Sequence, residues 1–278
     1  MKKQLFSVLL AGLLLASVFP AAVHAEDDGQ EPDIAPILLT ETPELKDNEV
    51  LIMPAPTTAE EPDYEAIAAE YARRQEEKDA ALQKLAECEH GEDCAFSAFS
   101  DLEGYEWAHD GIHYCTEQGY MIGVGDGQFN PAGTVTRAEL AVMLWRYAGE
   151  PYVNYYMQFE DVPAEDWYTE AVRWAAAENL ISGTDEAHFS PKDTLTREEV
   201  AIVLYAYACK LDQGFRGASM FFVPFTDLEE FGEGAFNPIR WCYMKKVMIG
   251  KEDNRFDPKG NVTRVEMAAI LQRFAFVF

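Results

Sequence analysis

Positive charge is what this chain has least of. Its 22 Lys and Arg stand against 49 Asp and Glu, a formal charge of -27 at pH 7. That balance excludes a nucleic-acid partner, which needs a basic footprint. Long apolar runs are also missing. Leu5 to Val18 is too short for a comfortable membrane span, and no other stretch is long enough, so no transmembrane segment is expected. No Ser or Cys nucleophile motif is present. Gly123-Val-Gly125-Asp126-Gly127 leads to a Phe and a Pro rather than into a helix, which sets aside a phosphate loop. Among so many acids no carboxylate pair is marked out for glycoside hydrolysis. No catalytic residue and no cofactor are assigned.

What is present begins with a leader pattern. Lys2 and Lys3 form a basic start, Leu5 to Val18 an apolar middle, and Val23-His24-Ala25 a cleavage site, so residues 1–25 are expected to be a secretory signal. No Cys follows the site, so no lipid anchor is expected there. Residues 26–62 are acidic and carry Pro32, Pro36, Pro43, Pro54, Pro56 and Pro62, the composition of an extended, disordered spacer. Its apolar patches, Ile37-Leu38-Leu39 and Val50-Leu51-Ile52-Met53, offer a docking alternative. Residues 63–95 are read as a charged helix with Tyr64, Ile67, Tyr71, Ala81, Leu82 and Leu85 on one stripe. Arg74 and Lys78 fall where a coiled-coil seam would continue, so the helix is expected to lie on the domain that follows. A protein partner for residues 26–95 is a further expectation.

The rest of the chain is written three times. Gly-x5-Phe-x-Pro-x4-Thr-Arg-x-Glu runs from Gly123 to Glu139, from Gly183 to Glu199 and from Gly250 to Glu266. Thr-x-x-Glu before an apolar run is a capping box. The runs that follow have helical period: Leu140, Ala141, Leu144 and Tyr147; Val200, Ala201, Leu204 and Tyr207; Met267, Ala268, Leu271 and Phe274. Helix initiation explains the Thr and the Glu but not Arg137, Arg197 and Arg264, each at a first helical position where the dipole disfavours a cation. Two readings stand. The arginines hold an anion, helped by free N–H groups at the helix start, or they pair with nearby acids.

Further upstream each unit opens with Phe-x-Asp, at Asp101, Asp161 and Asp227. Trp107 and Trp167 lie sixteen residues before Gly123 and Gly183, and a first helix runs between Trp and Gly. This order of motifs, three times over, resembles the S-layer homology (SLH) domain across roughly residues 96 to 278. The resemblance implies an all-α fold, with three helix-loop-helix repeats in one pseudo-threefold bundle. The units are placed at 96–150, 156–210 and 222–278. It also implies grooves that bind cell-wall polysaccharide, often through a pyruvylated amino sugar, on the wall of a bacterium. By position the ligand-binding residues are Arg137, Arg197, Arg264, Trp107 and Trp167. The third copy departs, with Gly234 in place of the Trp, Phe236 nearby, and Asn237-Pro238 expected to interrupt its first helix. The implied function is a non-catalytic surface protein held non-covalently to the wall. The alternatives are a secreted adaptor whose repeats are only scaffold, and a glycan-hydrolysing enzyme.

Five cysteines are an odd count for an exported chain. Cys88 and Cys94 could close a small loop. Cys115 and Cys242 occupy equivalent positions and read as core thiols, and Cys209 has no evident partner. His109 and His113 have a helical spacing that can bind metal, but no third ligand is apparent, so no metal site is assigned. Gly123 is expected to end the first helix as its C′ residue. Acids in the loops, such as Asp185 and Glu252, lack the spacing of a calcium loop.

Overall fold

A computed structural model describes residues 64–88, 91, 94–157, 159–215 and 221–278. The expected leader and spacer lie outside these residues, as do the side chains of Tyr64, Ile67 and Tyr71. Seven α-helices are described: α1 (Tyr64–Ala86), α2 (His109–Glu117), α3 (Arg137–Tyr147), α4 (Thr169–Ala177), α5 (Arg197–Lys210), α6 (Phe236–Met244) and α7 (Arg264–Ala275). No strand is present among the described residues, only isolated bridges. After α1, each repeat contributes one short helix and one capped helix.

All three capping boxes form. Thr136 Oγ1 accepts from the Glu139 N–H and Glu139 Oε2 accepts from the Thr136 N–H at 2.8 Å; the boxes of α5 and α7 are alike. The Phe-x-Asp motif acts on the same unit from outside. Asp101 accepts from the N–H groups of Phe129 and Asn130, Asp161 from those of Phe189 and Ser190, and Asp227 from those of Phe256 and Asp257. The second residue of each pair, between the Phe and the Pro, is left-handed, with φ of 57, 57 and 58°. The carboxylate therefore holds a turn that an L-residue does not favour.

The repeats close into a ring. α4 packs on α3, α6 on α5 and α2 on α7, so the first helix of each unit lies against the capped helix of the unit before it. At the axis three strand-like segments exchange single backbone bonds in a cycle. Val135 donates to Val262, Val262 to Leu195 and Leu195 to Val135, at 2.9 to 3.1 Å. Leu144, Leu204 and Leu271 are fully buried. Tyr147, Tyr207 and Phe274, which share one position of the repeat, meet in pairs with ring centroids 5.8 to 6.1 Å apart. Cys115 and Cys242 are core residues, as expected, and burial pushes both thiols well above their ordinary range.

Two local expectations are corrected. Gly123 does not end α2. The left-handed residues after the first helices are Gly119, Asn179 and Lys246, with φ of 73, 52 and 58°. Gly123 is needed for space instead, because a Cβ there would lie 2.7 Å from Phe99 Cε1 and 2.6 Å from the Gln128 carbonyl oxygen. Pro238 does not interrupt α6 either. It sits in the first turn, where its missing N–H has no intrahelical acceptor to lose.

α1 carries the stripe expected of a docked helix only in part. Leu85 is buried, whereas Leu82 is exposed. Lys78 donates to the Phe276 carbonyl and Lys84 pairs with Glu117, which ties α1 to α7 and α2.

Candidate functional site

Ring closure places each repeat's arginine against its neighbour. Arg137 Nε donates to the Phe189 carbonyl, Arg197 Nε to that of Phe256 and Arg264 Nε to that of Phe129, each at 2.8 Å. Each Nη2 donates to a second carbonyl in the same neighbour, that of Ser182, Ile249 or Ile122. Each guanidinium also lies over the ring of the Phe whose carbonyl it holds, 4.8 to 5.0 Å from the centroid. Arg264 pairs with Glu139 of a neighbouring capping box at 2.9 Å, and Arg197 approaches Glu266 at 3.9 Å. Arg197 and Arg264 are 4% and 5% exposed, and Arg137 is half-buried. Burial lowers the Arg137 and Arg197 pKa values, opposed by nearby carboxylates, Glu199 for the first and Glu266 for the second.

The free N–H groups expected at these helix starts are all used. The Arg137, Arg197 and Arg264 N–H groups donate to Asp193, Gly260 and Gly133 carbonyls of the adjoining repeat. The next N–H groups, of Ala138, Glu198 and Val265, donate to Pro191, Pro258 and Pro131. The Pro of each motif is therefore an acceptor for the neighbouring helix start. Positive charge at the first helical position is explained by what the side chain reaches, not by the dipole.

One groove, of about 340 Å³, draws on all three repeats. Its floor is the 120–124 segment and the outer face of α3, including Glu139 and Arg146. Arg264 lines it from the third repeat and Trp167 from the second. Trp167 is 61% exposed, and Ile122 and Val124 present apolar surface beside it. The groove thus sets an exposed indole beside exposed Ile122 and Val124, while the Arg264 guanidinium in its wall is already held by the Phe129 and Ile122 carbonyls and by Glu139.

Turning the repeats by one step gives two equivalent positions. Arg197, the 247–251 segment and Trp107 correspond to one. Trp107 is 60% exposed, and its 3-10 turn, Glu106–Ala108, packs against α7. Arg137, the 180–184 segment and Gly234 correspond to the other, which has no indole; Phe236 is exposed but lies 6.4 Å from the Phe231 ring and under Arg240. Arg264 thus shares a groove with the Trp of another repeat, Trp167, and the same rotation makes Trp107 the counterpart for Arg197. Sequence reading missed Arg146, Ile122 and Val124. The position of Arg146 holds Ala206 in the second repeat and Arg273 in the third, so Arg146 is not part of a pattern common to all three units.

Comparison with known proteins follows the same division of the chain. The S-layer homology domain matches residues 98–141, 158–201 and 224–268. Among relatives, an amylopullulanase of Thermoanaerobacterium thermosulfurigenes is 33% identical over 62% of this chain and 9% of its own length. A cellulosome-anchoring protein of Acetivibrio thermocellus is 28% identical over 55% of this chain and 35% of its own. An S-layer protein of Bacillus thuringiensis subsp. finitimus is 28% identical over 64% of this chain and 21% of its own. The chain therefore spans only a minor part of each of these relatives.

Proposed function

Because the chain carries three tandem S-layer homology domains, the modules by which surface proteins are anchored to the cell wall, we propose that it is a non-catalytic wall protein that grips an anionic polysaccharide in its inter-repeat grooves. The observation that carries this reading is the groove of Arg264 and Trp167, where a cation and an exposed indole from two repeats meet over a floor that carries Ile122, Val124, Glu139 and Arg146. The tryptophans stack on sugar faces, and an acidic substituent, such as the pyruvyl group of an amino sugar, meets the positive lining of the groove, where Arg146 joins Arg264, whose own fork is engaged by carbonyls and Glu139. The net charge of -27 repels such a polymer at long range. Over a Debye length of about 8 Å at physiological salt, the local guanidinium prevails. A non-catalytic role accords with the match to named glycanases, which reaches 9 to 18% of their length.

Co-sedimentation with purified walls, before and after removal of the secondary polysaccharide, tests this reading. Arg264 also bolts two repeats together, so Trp167→Ala and Trp107→Ala are the cleaner variants. Each removes an exposed ring and should leave the circular dichroism spectrum unchanged. The expected result is binding that needs the polysaccharide and weakens about tenfold in Trp167→Ala, an equivalent of ~1.4 kcal/mol. Native protein that stays in the supernatant overturns the proposal and leaves the repeats as scaffold.

A further inference from the structure

The end of α1 and the start of α2 bring four metal-binding side chains together. Cys88 follows α1, Cys94 precedes the 3-10 turn Ala95–Ala98, and His109 and His113 share one face of α2. One ligand atom from each lies within 4.8 Å of all the others. His109 Nε2 is 3.5 Å from Cys88 Sγ and 3.3 Å from Cys94 Sγ, and His113 Nδ1 is 3.4 Å from Cys94 Sγ. With metal–sulfur bonds of about 2.3 Å and metal–nitrogen bonds of about 2.0–2.1 Å, the sulfur–nitrogen edge of a tetrahedron is about 3.6 Å. The observed separations fall close to that edge.

The outer nitrogens of the two rings supply a second observation. His109 Nδ1 is 2.9 Å from Asp110 Oδ1, and His113 Nε2 is 3.8 Å from Glu117 Oε2. Each imidazole thus turns one nitrogen to the sulfurs and the other towards a carboxylate. Zinc-binding histidines are oriented in that way. Cys94, His109 and His113 are buried, which shields the cluster from competing water. Among the described residues the other repeats hold no comparable cluster. Thr169 and Arg173 occupy the histidine positions of the second, and Thr169 spends its hydroxyl on the Pro163 carbonyl. The four ligands occur only in the repeat that receives α1.

We propose that Cys88, Cys94, His109 and His113 form a structural zinc site that clamps the end of α1 onto the first repeat. Four protein ligands leave no open position, so the site is closed and non-catalytic. The separate readings of Cys88 with Cys94 as a disulfide loop, and of His109 with His113 as an incomplete metal pair, become one reading.

The protein, purified from an exporting host without reductant or chelator, is assayed for metal by elemental mass spectrometry and for thiols by alkylation and intact mass. One equivalent of zinc is expected, with Cys88 and Cys94 alkylated only after the metal is stripped. Adding Co2+ to the stripped, reduced protein should give the intense visible absorption of a tetrahedral ion and a thiolate charge-transfer band, both bleached by Zn2+. Cys94→Ser and His113→Gln should each abolish that spectrum with the far-ultraviolet circular dichroism unchanged, and Cys209→Ser on α5 should retain it. Metal removal should also speed proteolysis between Cys88 and Cys94 several-fold, which reads the clamp even if one variant folds poorly. A Cys88–Cys94 disulfide in metal-free protein overturns the proposal. So does a reduced chain that binds neither ion, or a cobalt spectrum that survives both variants.

Discussion

At the scale of single residues, the glycine of the motif is a packing requirement. A Cβ on Gly183 would stand 2.5 Å from the Asp185 carbonyl oxygen and 2.6 Å from Phe159 Cε1, and Gly250 meets Phe225 in the same way at 2.8 Å. The backbone there is not left-handed, so substitution is costly through collision rather than through φ. Gly183→Ala is expected to destabilise the domain by about 1–3 kcal/mol, read from the urea midpoint at constant slope. An unchanged midpoint would mean that the Phe159 ring and the Asp185 and His188 carbonyls move aside freely. The glycine was visible in the sequence, but its reason was not. Spacing alone suggested a helix end, because the ring that collides with it belongs to the Phe-x-Asp motif 24 residues earlier. The free N–H groups expected at the helix starts are absent for a related cause. A first helical position looks like an anion site when the helix is considered alone, and only the adjoining repeat shows that its N–H groups are occupied.

At the scale of the element, the acid of the Phe-x-Asp motif governs the turn that presents both the Phe carbonyl and the Pro carbonyl to a neighbour. Asp227 is fully buried and accepts from Phe256 N–H at 2.9 Å and Asp257 N–H at 2.8 Å. Asp227→Ala orphans two donors at about 1–3 kcal/mol each. It also releases the left-handed Asp257 and the carbonyl that Arg197 holds. Asp227→Asn retains one amide oxygen as acceptor and should lose less. Guanidinium denaturation of the two variants checks this order; an Asn variant as weak as the Ala variant would point to charge, not acceptor count, as the source. Capping boxes were legible because they are local, a Thr and a Glu three residues apart on one helix. The zinc cluster was legible only in halves, since its two pairs of ligands sit on separate elements that sequence spacing does not bring together.

At the scale of the whole molecule, the repeats are parts of a closed ring rather than beads. Every first helix, every motif arginine and every axial backbone bond has its partner in another repeat. Threefold repetition announced the count, but the closing step depends on a contact between the first and last units, which no local pattern encodes. That contact is tightest at Gly111 on α2, where a Cβ would lie 2.7 Å from the Ala269 nitrogen and 2.8 Å from its Cα on α7. The backbone of one helix therefore rests directly on the other. The equivalent residues of the other units are Ala171 and Pro238, so the other two crossings accommodate a side chain that this one cannot. Gly111→Val should force α2 off α7 and open the ring at one seam. Removing residues 222–278 should do more, stripping both neighbours of the third unit at once. If the ring is the folding unit, the native chain unfolds in one transition by circular dichroism and tryptophan fluorescence alike. The truncated chain then shows no cooperative transition, and Gly111→Val shows one at a lower midpoint. A truncated chain that still melts sharply would mean that two repeats suffice. The proposed wall binding by the Arg264 groove would in that case be lost with Arg264 itself, since that groove takes its floor, its indole and Arg264 from three different units.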